Sequence, residues 1–156
     1  MVNIWQISPG RERDNLWQEF RDAGIIAIGW EMGDLRQFKN EADLQNKARL
    51  GLNDTNSCWT FSHLIKKGDI IVAKKGQSKQ IYGMGKATDE YKYDDGRPYY
   101  KHTIPVDWRI KFDKLVTVNA PKLFIQTTVG KLDSGRLDAI DRSIGRRKRS
   151  ATLKTL

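Results

Sequence analysis

A chain of 156 residues with 38% hydrophobic and 30% charged residues has the size of one domain with one core, and no apolar run approaches the roughly 18 residues of a membrane-spanning helix. One cysteine and two histidines exclude an internal disulfide and a multi-cysteine zinc cluster, and the first residues lack the basic and apolar regions of a secretory signal, so a cytoplasmic protein without metal, cofactor or membrane partner is expected. The net charge of +9 is uneven: Arg142, Arg146, Arg147, Lys148, Arg149 and Lys154 stand without an acid, and Lys66, Lys67, Lys74, Lys75, Lys79 and Lys86 face Asp69 alone between residues 65 and 86.

In chain order, Val2–Ile7 reads as a first strand, stopped by Ser8-Pro9-Gly10. Asp14 is expected to cap a helix through about Asp22, with Leu16, Phe20 and Ala23 on one face and Gly24 as its stop. Ile25–Trp30 is a short β-branched run of the kind that forms a buried strand. Helices follow around Glu41–Leu52 and Asp54–Lys67, the second closed by Gly68. Asp69–Lys75 and Gln80–Thr88 make a hairpin with lysines at its tip. Residues 89–98 form a loop, and Tyr99–Lys111 a long strand in which Pro105 marks an edge or a bulge. Leu115–Val118 suits a last short strand, and Ser134 starts a terminal helix. The domain is expected over residues 1–141, with 142–156 as a disordered basic tail. Helices inserted among the first strands, without regular βαβα alternation, point to an α+β fold on a small curved mixed β-barrel.

The sequence carries no motif of enzymatic chemistry. Gly83-Met84-Gly85 lacks the third glycine of a dinucleotide fingerprint, and Lys75-Gly76-Gln77-Ser78-Lys79 lacks phosphate-loop spacing. Cys58 reads as a buried thiol and His63, at helical spacing from Trp59, as a packed or surface residue. What remains is aromatic and basic. Trp30 ends an apolar strand and opens into a polar loop, so it either lines a pocket mouth or packs beneath that loop. Tyr91 and Tyr93, two apart, project to one side of an extended segment. Aromatic walls beside lysines suit a nucleobase and its phosphate; the alternative is a solvated lysine surface with the rings in the core.

Ile4-Trp5-Gln6-Ile7-Ser8-Pro9-Gly10, Gly24–Trp30, Gly33-Asp34-Leu35, Gly68–Gly76, Ile81–Gly85 and Val106-Asp107-Trp108 together resemble, in order, the EVE-type domains of the PUA superfamily, relatives of the YTH readers of methylated adenine. The likeness runs from residue 3 to about 140 and is nearest to the N-terminal recognition domains of McrB-like subunits in modification-dependent restriction systems. It implies a PUA/EVE-like curved mixed β-barrel with surrounding helices and a pocket that receives a flipped, modified base, most simply methylated, of DNA. By that resemblance Trp30 forms one wall and Ser8 a polar contact. Tyr91 or Tyr93 forms the second wall, with Trp5 and Trp59 as substitutes. Lys74, Lys75, Lys79 and Arg97 would meet phosphates. The chain carries no motor or nuclease motif, which makes it a non-enzymatic reader whose effector is a separate protein. Two other readings stay open: an RNA-binding module in RNA modification or turnover, and a small nucleoside or RNA hydrolase using, for example, Lys75 with Asp89.

Overall fold

The computed structural model describes residues 1–11, 14–76, 78–119 and 127–145. Strand β1 (Ile4–Ile7) is followed by a minimal hairpin, β2 (Gly10–Arg11) with β3 (Asp14–Asn15), then helix α1 (Trp17–Ala23) and strand β4 (Ile25–Ile28). Helices α2 (Glu41–Ala48) and α3 (Leu52–Trp59) come next, α3 running into a wider turn over Thr60–Leu64. Strands β5 (Ile70–Lys74), β6 (Gln80–Ala87), β7 (Lys92–Tyr93), β8 (His102–Thr117) and β9 (Val129–Leu132) lead to helix α4 (Ser134–Gly145).

The sheet runs β4-β8-β6-β5-β1-β9, with β7 added against β8. Among the described residues only β1 and β5 pair in parallel; the other pairs are antiparallel. This mixed sheet curls into a half-barrel carrying, among the described residues, four α-helices, an α+β architecture. Both faces of its centre are covered, as the unbroken burial of β1 and β5 requires. Trp5, Ile7, Ile71 and Ala73 face one core with Phe20, Leu44 and Phe61, while Ile4, Ile70, Val72 and Met84 face a second core with Ile140 and Ile144 of α4. Alternate residues of each strand thus serve opposite cores. Complete burial of a Phe20 or Phe61 side chain contributes about 1.5–3 kcal/mol.

Several expectations change. Asp14 belongs to the β2–β3 hairpin, and the first helical turn is met by Asn15, whose Oδ1 accepts the Trp17 N–H at 2.9 Å. Leu115–Thr117 is no separate strand but the end of β8, paired with the start of β6. Strand β9, which the sequence reading lacked, pairs with β1 at the sheet edge. Residues 142–145, placed by the sequence in a disordered tail, lie in α4 with Ile144 buried; 146–156 lie outside the described residues. No helix among the described residues is long and apolar enough to cross a membrane.

Candidate functional site

Strand β4 leaves the sheet through Gly29 and Trp30. Gly29 is required there because a Cβ would stand 2.7 Å from the ring of Tyr100. Tyr100 itself has φ +48°, a conformation costing such a residue on the order of 1–3 kcal/mol. It is held by Arg97, whose Nε donates to the Tyr100 carbonyl at 3.0 Å while Nη2 meets Glu19 at 2.6 Å. The other Glu19 oxygen accepts the Tyr99 hydroxyl at 2.9 Å. One carboxylate of α1 therefore holds both Arg97 and Tyr99.

Trp30 is half-buried, and its carbonyl lies 2.6 Å from His102 Nε2. A carbonyl only accepts, so Nε2 carries the ring proton of the neutral imidazole. Nδ1 then accepts from the Tyr91 hydroxyl at 2.7 Å, and that oxygen accepts the Leu35 N–H at 3.1 Å. The relay Leu35–Tyr91–His102–Trp30 is complete with a neutral histidine, and burial lowers the pKa of His102 and raises that of Tyr91. The sequence offered no hint that His102 positions Trp30.

Gly29, Trp30 and Tyr100 border two cavities. The first, about 470 Å3, is completed by Ser8 and Gly10 after β1, Ala27 and Ile28 of β4, Asp54 of α3, and Thr128 just before β9. The second, about 390 Å3, adds Glu31, Gly33, Tyr93, Pro98, Tyr99 and Lys101. Both volumes fall within the roughly 300–1,000 Å3 typical of ligand sites. Ser8 links the first cavity to the lysine hairpin: its N–H donates to Thr128 O at 3.1 Å and its hydroxyl to Gly76 O at 3.4 Å.

The structure brings Trp30 and Ser8 together at the first cavity and sets Tyr93 in the second. Tyr91 is only 4% exposed, with its hydroxyl consumed by Leu35 and His102, so it is a core residue rather than a wall. Trp5 is equally buried, and its indole N–H donates to Asp69 at 2.8 Å; that carboxylate also accepts from the backbone of Asn3 and Lys66. Trp59 stacks on His63 with centroids 3.6 Å apart and lines neither cavity. The second wall of the first cavity is Tyr100. Its signal was Gly29, a glycine ending an apolar strand, which marks close approach of another group.

The phosphate-binding set also divides. Lys75 and Lys79 are exposed on the β5–β6 hairpin, whereas Lys74 is 1% exposed and donates to Gly76 O. Burial pulls its pKa down to about 8, so it is no surface cation. Arg97 is neutralised by Glu19. Asp89, the acid considered for a hydrolase with Lys75, instead pairs with Lys92 at 2.9 Å. Cys58 is buried, which pushes its thiol up to about 12 and keeps it protonated. Among the described residues no three His, Cys, Asp or Glu side chains converge on a metal position.

In fold the chain is similar to Rpa0253 from Rhodopseudomonas palustris, at 13% identity and TM-score 0.53, over 97% of this chain and 99% of that one. A hypothetical protein from Leishmania major gives 10% identity and TM-score 0.53 over 95% and 98%. The YTH domain of Zygosaccharomyces rouxii MRB1, solved with N6-methyladenosine RNA, gives 12% identity and TM-score 0.48 over 89% and 84%. At such identities the likeness concerns the fold alone. No curated protein sequence matches the chain significantly. A family model spans most of it, residues 5–133, and the chain belongs to that family, described as a domain of unknown function (DUF8426).

Proposed function

We propose that the protein is a nucleic-acid reader without enzymatic activity of its own, which takes an extruded, modified base into the first cavity between Trp30 and Tyr100. The observation that carries this reading is the composition of that cavity: two aromatic side chains, three polar ones (Ser8, Asp54 and Thr128), and a direct tie to the hairpin bearing Lys75 and Lys79. Stacking on an aromatic ring is worth about 1–3 kcal/mol per base and is indifferent to sequence. Asp54 can accept an exocyclic amino N–H, and the hydroxyls of Ser8 and Thr128 can donate to ring nitrogens or carbonyls. A methyl group on the base gains apolar contact with the rings. DNA as the bearer of the mark, base flipping from a duplex and a separate restriction effector are supported by the EVE-type and McrB-like sequence resemblance only.

Fluorescence anisotropy at fixed salt tests this, with matched DNA and RNA oligonucleotides, single-stranded and duplex. The probes carry no mark, N6-methyladenine, 5-methylcytosine or 5-hydroxymethylcytosine. One modified probe should bind roughly 10–200-fold tighter than its unmodified counterpart, the range one methyl group supports. Trp30→Ala should erase that ratio and leave weak, salt-sensitive binding. Equal binding to all probes, or a ratio that survives Trp30→Ala, overturns the assignment of the cavity.

A further inference from the structure

The second cavity has a different chemistry from the first. Its walls are Trp30, Tyr93, Tyr99 and Tyr100, and the rings of Tyr99 and Tyr100 stand 6.0 Å apart and nearly perpendicular, at 83°. Two rings at right angles thus line one volume. The Glu19 carboxylate fixes the Tyr99 hydroxyl, so this ring is set in place although the residue is 49% exposed.

Charge bears on the second cavity as well. Glu31 stands exposed on the rim of the second. The one cation of that lining, Lys101, gives its ammonium to Asp95 at 3.1 Å. The nearby Arg97 is balanced by Glu19. With Glu31, Asp95 and Glu19 set against Lys101 and Arg97, the balance of these charges around the rings is negative. A phosphate is disfavoured here, and a cation is favoured twice: by the ring quadrupoles, which attract an alkylammonium placed over their faces within about 6 Å, and by the Glu31 carboxylate.

We propose that the second cavity is an aromatic cage for a methylated ammonium group, as carried by choline or by a trimethylated lysine side chain. Tyr99, Tyr100, Trp30 and Tyr93 surround the methyl groups, and Glu31 supplies the countercharge. The base reading of the first cavity is not needed for this.

The test is an NMR titration of the whole, 15N-labelled chain with choline and with 3,3-dimethyl-1-butanol, the neutral isostere in which carbon replaces the quaternary nitrogen. Choline should shift the amides of Gly33 and Lys101 and the Trp30 indole N–H saturably, and the isostere should bind at least about fivefold more weakly, the ratio of a cation–π contribution near 1 kcal/mol. Tyr99→Ala and Glu31→Gln should each weaken choline several-fold while leaving the dispersion of the remaining spectrum unchanged, which shows that the variants fold. A trimethyllysine peptide run alongside distinguishes a protein-borne from a small-molecule cation, and saturable shifts of the same signals by either support the cage. Equal affinity for choline and its isostere, no binding by choline or the peptide, or occupation of the same signals by adenosine monophosphate in preference to choline overturns it. The last outcome makes the cavity a second base slot. Because Tyr99 and Glu31 line the second cavity and not the first, Tyr99→Ala and Glu31→Gln should leave the ratio between modified and unmodified oligonucleotides unchanged, so failure of the cage and failure of the base reading are read separately.

Discussion

The carbonyl of Trp30 and the hydroxyl of Tyr91 both depend on one buried imidazole, so His102 decides where the chain goes after β4. Replacing it by leucine takes the donor from the Trp30 carbonyl and the acceptor from the Tyr91 O–H, and each loss costs about 1–3 kcal/mol. His102→Leu should therefore lower stability by about 2–4 kcal/mol in urea unfolding. Acid should have a related effect. Burial depresses the folded pKa of His102 below its ordinary 6.5, so between the two values the unfolded chain binds more protons. Stability is then fully present above about pH 6.5 and falls as pH drops through that window. His63, lowered by partial burial, acts in the same direction. The urea midpoint should fall between pH 7.5 and 5, and His102→Gln should flatten part of that fall. An unchanged pH slope would assign the acid sensitivity to other groups. At this scale Trp30 could be read from its place at the end of a strand. Tyr100 could not, because its position depends on a left-handed backbone angle and on Glu19, 78 residues from the Arg97 it binds.

The most extensive pairing in the sheet is β6 with β8, and it is not regular. Its register shifts between Ile81 and Gly83 and again between Met84 and Gly85. At Gly83 a Cβ would press on the Ile110 carbonyl and stand 2.9 Å from the Trp17 ring, and at Gly85 it would stand 2.5 Å from Asp107 O. The two glycines let β8 cross closely and bend, and Trp17 fills the space, edge-on to Trp108 at 4.8 Å and stacked with Tyr82 at 5.6 Å. Gly83→Ala should destabilise by about 1–3 kcal/mol or more through overpacking against backbone that cannot retreat, read as a lowered urea midpoint. Gly76→Ala is a useful contrast: nothing lies within 4 Å of its Cβ, and its cost is the strain of φ +51°. Loss of stability at Gly76 alone would argue that the β6–β8 crossing is loosely packed. The strands themselves were legible because β-branched runs between glycines mark them: Ile25–Ile28 and Ile70–Lys74 stand where expected. Strand β9 was not, since Val129-Gly130-Lys131-Leu132 is too short and too mixed to announce itself. It becomes a strand because β1 offers it an open edge and Ser57 accepts the Val129 N–H, contacts that local pattern cannot encode.

Across the whole molecule, charge and aromatic surface are arranged about a single wall. Gly29, Trp30 and Tyr100 stand between a cavity tied to the lysine hairpin and one rimmed by Glu31. The sequence showed the basic hairpin as a run of like charge but could not tell which lysines face water. Lys74 and Lys75 are neighbours on one strand end and alternate in direction, so one is buried and the other exposed. That difference yields a prediction about polyanion binding. Each lysine that meets a phosphate releases a counterion, so log K falls with log salt by about 0.7–0.9 per contact. Lys75→Gln with Lys79→Gln should therefore weaken every nucleic acid by a similar factor and reduce the salt slope by roughly 1.4–1.8. The ratio between modified and unmodified probes should stay as it was, because that ratio is set in the cavity. Lys74→Met should leave the salt slope unchanged, since its ammonium already lies against the Gly76 carbonyl inside the fold. Should the slope fall with Lys74→Met and not with the double substitution, the phosphate path does not run along this hairpin, and the first cavity loses its tie to a polyanion.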